Sequence, residues 1–251
     1  MIRYDYHMHS SYSYDSYAAI EDMVEKACRV GLAEIAITDH IEFGFPDKDI
    51  ASPRGVAANV AKIHKIRDKY ENHLSVLAGI ELGLKPDMAD AAKKIAQTNG
   101  LDIIIGSIHD IYSLGFSHVK YFENMLSSIT TSDSWDVLGH IDYISRYDNV
   151  DKARYYTDYK EVINEILKYI IGVGKGIEIN TSRFSGGVHP YPDIIARYKE
   201  LGGEIITIGS DAHSPEGIAA GFDIAYDMLQ NLNIQYTARF RRREPFFAKI
   251  D

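Results

Sequence analysis

Short runs of apolar residues alternate along this chain with longer stretches in which apolar residues return every three or four positions. The runs read as strands and the stretches as helices. Ile2 to Tyr6 is a first strand, with a β-branched residue and two tyrosines before the chain turns polar. Ala18 to Val30 is helical, with Ile20, Met23, Val24 and Ala27 on one face and Gly31 as its stop. Ala33 to Ile37 is a second strand closing on Thr38, Asp39 and His40, and a helix from Gly55 to Tyr70 follows a loop with Gly44 and Pro46. Leu74 to Ile80 is a third strand and ends on Glu81. Pro86 opens a helix to Gln97, stopped by Asn99 and Gly100. Asp102 to Ile108 is a fourth strand ending on His109, and Val119 to Ser128 is a less regular helix. Val137 to Gly139 leads into His140, and Tyr159 to Ile171 is helical. Gly176 to Asn180 is a sixth strand, Asp193 to Leu201 a helix, and Glu204 to Ser210 a seventh strand that runs into Asp211, Ala212 and His213. One more helix, Pro215 to Leu229, precedes a tail with a short strand around Tyr236 to Phe240.

Strands that alternate with helices over short connections are parallel strands. The seven units show no repeat and no linker, so the pattern predicts a single domain over residues 1–251. Its architecture is an α/β barrel of the TIM type, closed or nearly closed and one unit short of eight. In such barrels chemistry sits at the C-terminal ends of the strands.

Those ends carry an unusual set of side chains. His7 and His9 lie two apart at the end of a strand and project together, as a pair of imidazoles on one ion must. Of the ten histidines, six fall at strand ends: His7, His9, His40, His109, His140 and His213. Asp15, Glu81 and Asp211 occupy matching positions. Each alone could merely cap a strand through a hydrogen bond; the set together points to metal. Nitrogen and oxygen donors without thiolate suit Zn²⁺, Mn²⁺ or Fe²⁺ in a site with open positions. Nine donors exceed the need of one ion and suit two or three, with a carboxylate such as Glu81 as the bridge. His64 and His73 lie away from the rim, His118 begins a helix and reads as structural or exposed, and His189 follows the sixth strand where it could touch substrate.

Composition narrows the partners. Net charge is −9, which disfavours a long nucleic acid. The basic cluster Arg239 to Arg243 is local and reads as a solvated edge. No apolar run spans a membrane and no basic-then-apolar leader opens the sequence. The single cysteine, Cys28, excludes a disulfide framework and fits a cytoplasmic setting.

The motifs resemble the polymerase and histidinol phosphatase (PHP) family of metal-dependent phosphoesterases. The matching stretches are His7-Met8-His9 with Asp15, Thr38-Asp39-His40, Gly79-Ile80-Glu81, Gly106-Ser107-Ile108-His109, Leu138-Gly139-His140 and Gly209-Ser210-Asp211-Ala212-His213. The resemblance implies a distorted seven-unit (β/α) barrel. It also implies three ion positions: His7, His9, Glu81 and Asp211; Glu81, His109 and His140; and Asp15, His40 and His213. The histidinol-phosphate phosphatase branch is the most similar, through Asp15, Arg146-Tyr147, Asn180-Thr181-Ser182 and the ending Arg242-Arg243-Glu244-Pro245. Arg183, next to Asn180-Thr181-Ser182, and the short loop from Gly44 to Ser52 depart from that branch.

Hydrolysis of a phosphate monoester can require acceleration up to roughly 10²¹-fold, on the order of 28 kcal/mol, which arginines alone cannot supply. A metal cluster provides hydroxide at neutral pH and neutralises the phosphoryl oxygens. The expected reaction is attack by a metal-bridging hydroxide on a small phosphorylated substrate, histidinol phosphate in histidine biosynthesis. Glu81 and Asp211 hold the catalytic centre, and Arg146 and Arg183 are the candidate phosphate clamps. Asp110, Tyr112, Asp142, Tyr147 and His189 are candidates for the rest of the substrate. Competing readings are a phosphoesterase for a sugar phosphate or a nucleotide phosphodiester, an amidohydrolase, and an inactive binding module. An amidohydrolase has eight strands and a modified lysine on the fourth, where this chain has Glu81 on the third. No donor position is replaced, as an inactive module would have it.

Overall fold

The computed structural model describes residues 3–44, 50–182 and 187–250. Seven parallel strands stand in sequence order around the domain. They are β1 (Tyr4–Asp5), β2 (Glu34–Ile41), β3 (Ser75–Gly83), β4 (Ile103–Ser107), β5 (Val137–Leu138), β6 (Gly176–Asn180) and β7 (Ile206–Gly209). The first and last segments meet through Tyr6 N to Ile208 O at 2.9 Å, Asp211 N to His7 O at 2.8 Å and His9 N to Ala212 O at 2.8 Å. These bonds bring the ring round on itself as a short-laddered barrel. Helices α1 (Ile20–Arg29), α2 (Pro53–Tyr70), α3 (Ala89–Ala96), α4 (His118–Thr131), α5 (Tyr155–Asp158), α6 (Lys160–Gly172), α7 (Pro192–Glu200) and α8 (Phe222–Asn231) connect them. Two serines start the longest ones: Ser52 accepts from Gly55 N and Ser117 from Lys120 N. Among the described residues no helix is long and apolar enough to cross a membrane.

Strand periodicity divides the core in two. Outward residues such as Ile35, Ile37, Val76, Ile80, Ile104, Ile177 and Ile179 pack under the helices. Inward ones, Tyr6, Ala36, Leu77, Ile103, Ile105 and Val137, fill the barrel beneath the rim. One strand therefore presents one chemistry outside and another inside. On β2 the inward positions run Glu34, Ala36, Thr38 and His40, from an acid at one mouth to an imidazole at the other. In register, His40 pairs with Glu81 of β3.

Two expectations are corrected. The helix expected from Pro215 to Leu229 is broken into a turn at Pro215–Gly217 and α8. Ala219 and Gly221 take positive φ between them, so that Ala219 N reaches Asp5 Oδ2 at 3.1 Å and Ala220 O accepts from Thr181 Oγ1 at 2.6 Å. A buried carboxylate overrides local helix propensity. The basic cluster is not a solvated edge. It belongs to a hairpin, β8 (Tyr236–Arg241) and β9 (Glu244–Lys249), that closes the N-terminal mouth. Arg239 Nε and Nη2 lie 3.0 and 2.7 Å from the carboxylate of buried Glu34, which Arg241 also contacts. Arg243 grips Asp136 at 2.8–3.2 Å. The turn residues Arg242 and Arg243 both have positive φ, which aims their N–H groups at Asp102.

Candidate metal centre and substrate cavity

At the opposite mouth the nine predicted donors converge. Glu81 is completely buried at their centre. Its Oε1 lies 2.9 Å from His140 Nε2 and 3.1 Å from His109 Nε2 and accepts from Ser107 Oγ at 2.7 Å. Its Oε2 lies 2.9 Å from His40 Nδ1, 3.2 Å from His7 Nε2 and 3.6 Å from His9 Nε2. Asp211 Oδ1 stands 3.2 Å from His9 Nε2 and 3.7 Å from His7 Nε2. The Asp211 backbone is left-handed, φ 52°, a conformation that turns its carboxylate onto the cluster. Asp15 Oδ2 lies 3.2 Å from His213 Nε2 and 3.5 Å from His40 Nε2.

Four overlapping trios bring donor atoms within 4.8 Å of one another: His7, His9 and Asp211; Glu81, His109 and His140; His9, His40 and His213; and His40, Glu42 and His109. Glu42 in the last trio was not anticipated. The spacing of the donors fits metal, and so does their hydrogen bonding. His7 Nε2, His40 Nδ1 and Glu81 Oε2 are buried on the cluster side without an aligned hydrogen-bond partner. Buried polar atoms left in that state are costly unless something else satisfies them. Meanwhile the far nitrogens are held: His7 Nδ1 by Glu178 at 2.5 Å, His109 Nδ1 by Glu42 at 2.5 Å, and His9 Nδ1 by Ser13 Oγ at 3.0 Å. A ring tied at one nitrogen presents the other to a cation.

The electrostatics agree. Burial pushes the Glu81 carboxyl up, but the charges on His7, His109 and His40 outweigh it and hold the group well below its usual range. Burial likewise opposes charge on His7, yet Glu178, Glu81 and Asp211 keep its pKa well above normal. His40 is raised to about 9 by Glu81 and Asp15 against the effect of burial. His9 falls to about 3 through burial and the charges on His40 and His213, which outweigh its hydrogen bond with Asp211.

A cavity of about 320 Å³ opens over the cluster, walled by Tyr14, Tyr143, Arg146, Tyr147 and Ser182. Arg146 Nη2 donates to Asn180 Oδ1 at 2.8 Å, Nη1 lies 3.5 Å from Asp211 Oδ2, and the guanidinium sits 5.0 Å from the Tyr143 ring centre. Tyr147, half-exposed, shares a 2.6 Å hydrogen bond with Tyr143.

Other predicted contacts stand elsewhere. His189 is buried, with Nδ1 2.7 Å from Asp142 Oδ1, and both face each other rather than the cavity. Tyr112 is largely exposed and packs edge-on against Phe116 outside the cavity wall. Asp110 pairs with Lys85 at 4.0 Å. Arg183 lies outside the described residues. His118 is buried on Tyr155 Oη at 2.8 Å. Ser210 Oγ donates to His7 O at 3.5 Å.

Sequence reasoning missed Glu178, Glu42 and Asp39. Asp39 accepts from Ser10 N at 2.6 Å, Ser13 Oγ at 3.0 Å and Asn59 Nδ2 at 2.9 Å, tying the loop of the first two histidines to β2 and α2. The available signal was alternation: Glu178 and Asn180 share the inward face of β6, and Glu42 follows His40 by two.

The chain is similar along its length to proteins of known kind. It is 34% identical over 248 residues to a probable histidinol-phosphatase of Clostridium acetobutylicum, covering 92% of this chain and 94% of that one. It is 26% identical to a histidinol-phosphatase of Lactococcus lactis over 85% of each. The fold superposes with a TM-score of 0.86 on the crystal structure of histidinol phosphate phosphatase from Lactococcus lactis, solved with zinc, L-histidinol and phosphate, at 24% identity over 97% and 98% of the two chains. The PHP domain family model matches residues 5–182, most of the barrel and seven of its nine donors, and the chain belongs to that family.

Proposed function

We propose that this protein hydrolyses phosphate monoesters with two or three divalent ions, Zn²⁺, Mn²⁺ or Fe²⁺, and that its substrate is L-histidinol phosphate, released as L-histidinol and phosphate. The observation that carries the reading is the convergence of nine donors, with buried Glu81 at their centre, directly beneath a cavity whose wall includes Arg146. The three ion positions are those set out above, with Glu81 serving two. When bound, such ions lower the pKa of water toward neutrality and neutralise phosphoryl oxygens.

The chain's own groups do the rest. Arg146 binds a phosphate oxygen, because the guanidinium fork matches its geometry and Asn180 fixes the angle of approach. Glu81 and Asp211 keep the charge of the cluster balanced. Tyr14, stacked over His40, and Tyr147 offer ring faces for a cationic amine or imidazole at the other end of the substrate. The names borne by the relatives support the same substrate.

The test is a phosphate-release screen over a metabolite panel that includes histidinol phosphate, with p-nitrophenyl phosphate as reference. Histidinol phosphate should stand far above the reference. If another ester leads and histidinol phosphate only equals the reference, the substrate assignment falls and the metallophosphatase remains.

A further inference from the structure

Glu42 and Glu178 both hold the far nitrogen of a cluster histidine, but they are built differently. Glu42 Oε1 lies 2.5 Å from His109 Nδ1 and serves that ring, with His40 Nδ1 more distant at 3.9 Å. Glu178 is completely buried in the middle of β6 and serves two other strands at once. Its Oε1 is 2.5 Å from His7 Nδ1, just past β1. Its Oε2 accepts from the backbone N–H of His140, just past β5, at 3.1 Å, and from Asn180 Nδ2 at 3.2 Å. A carboxylate only accepts, so all three donors must point at it. The proton of His7 then sits on Nδ1, and Nε2 faces Glu81.

Glycines make the room. A Cβ on Gly209 would lie 2.3 Å from His7 Cβ and 2.4 Å from Glu178 Oε1, and one on Gly139 would lie 2.6 Å from Ser107 Oγ and 3.4 Å from Glu178 Oε2. On the other side, a Cβ on Gly83 would fall 2.2 Å from Glu42 Oε2. Gly209, two residues before Asp211, thus leaves the space in which Glu178 lies, whereas Gly139 chiefly clears Ser107 and Ile105.

We propose that Glu178 is a positioning residue shared by two ion positions. It orients the imidazole of His7 in one and anchors the backbone of His140 in the other, while Glu42 supports only the position that His109 completes. This rests on the rim being a metal cluster and is independent of the substrate. Partners of this kind are worth roughly 10- to 100-fold in metal affinity.

The experiment is a Zn²⁺ titration of the whole chain against a chromophoric chelator, for wild type, Glu178→Gln and Glu42→Gln. Glutamine keeps the size but turns an N–H donor toward His7 or His140. Glu178→Gln should weaken two of the bound ions by roughly 10- to 100-fold each, and Glu42→Gln one. Unchanged affinity in Glu178→Gln, or loss confined to one ion in both variants, overturns the proposal. Should Glu178→Gln fail to fold, ¹⁵N tautomer measurements on zinc-loaded wild type decide the matter. His7 must carry its proton on Nδ1, and a proton on Nε2 overturns the assignment. A wild-type chain that takes up no ion overturns the metal reading itself, and this inference with it.

Discussion

The two mouths of the barrel bury the same kind of group and neutralise it in opposite ways. At the N-terminal mouth Glu34 and Asp136 lie under the hairpin, and Arg239, Arg241 and Arg243 close on them. At the C-terminal mouth Glu81 and Asp211 are ringed by imidazoles, and Arg146 is the only arginine or lysine among the described residues of the cavity wall. A guanidinium is charged at any working pH; an imidazole is not. The hairpin mouth is therefore neutralised permanently by the chain, and the rim only conditionally. Burying carboxylates without a fixed cation is costly. The barrel does so at Glu81, at the opposite mouth from the fully paired Glu34, and has left a place there for a cation from outside.

Removing that cation should give the largest effect. Chelator-treated protein should lose phosphatase activity by more than about 10³-fold, since several kcal/mol of charge stabilisation leave with the ions, and regain it with Zn²⁺, Mn²⁺ or Fe²⁺. Full turnover in verifiably metal-free protein would end the reading. The metal-free state should also reveal the conditional neutralisation. His40 has its pKa raised to about 9 from an ordinary 6.5. The stabilisation from its charged form is therefore complete below about pH 6.5 and lost as the pH rises through 9, on the order of 3 kcal/mol. The Tm of metal-free protein should fall between about pH 7 and 9, and that of loaded protein should not.

Next in size, Glu81→Gln removes charge beneath two ion positions at once. It should lower kcat/KM by roughly 10²-fold or more and reduce metal content in the same preparation. His64→Ala, on α2 with its ring against Gly100 O, should change neither. Equal losses from the two would misplace the rim.

The hairpin mouth should answer in stability alone. Arg239→Met leaves buried Glu34 with one arginine fewer and should cost about 3 kcal/mol by chemical denaturation at pH 7, the lower end for a broken buried pair because Arg241 remains. Burial pushes the Glu34 carboxyl up, but Arg239, Arg241 and Tyr6 outweigh it and hold the group below its ordinary 4.5. Its contribution is thus present above that value and lost as the pH falls, so wild type and variant should converge in acid. The rim carboxylates are held low as well, so it is the difference between wild type and Arg239→Met in acid that reports the hairpin mouth. A drop in kcat/KM beyond twofold at unchanged stability would mean that the mouths are not independent.

The rim was legible because its donors close strands, where residue type and period speak together. His7 and His9 show this best, two apart at a strand end. The hairpin mouth was not, because its pairs join residues far apart in sequence: Glu34 opens β2, Asp102 precedes β4 and Asp136 precedes β5, whereas their arginines lie between 239 and 243. A run of arginines reads as solvated until its acids are found. Glu178 was hidden because a glutamate within an apolar strand carries no chemistry until its neighbours from β1 and β5 are known. His189 followed the right strand but turned inward, since Asp142 offered it a buried partner.

The smallest effect expected tests Arg146, the one permanent cation among the described residues of the cavity wall. If Arg146 binds the phosphate, Arg146→Ala removes hydrogen bonds to a charged group, about 1.5–3 kcal/mol, or roughly 10- to 150-fold in kcat/KM. The loss should be similar for histidinol phosphate and p-nitrophenyl phosphate, because both present the same phosphoryl group. Tyr147→Ala, at the far wall, should instead hurt histidinol phosphate selectively, by a few-fold, the scale of an exposed cation–π contact. Metal content should hold in both variants, although Arg146 lies 3.5 Å from Asp211. A guanidinium that served only to neutralise Asp211 would show the reverse pattern: altered metal binding with little change in kcat/KM once ions are saturating. That result would make Arg146 a miniature of the hairpin mouth, a chain cation on a buried carboxylate, and would leave the phosphate to other groups.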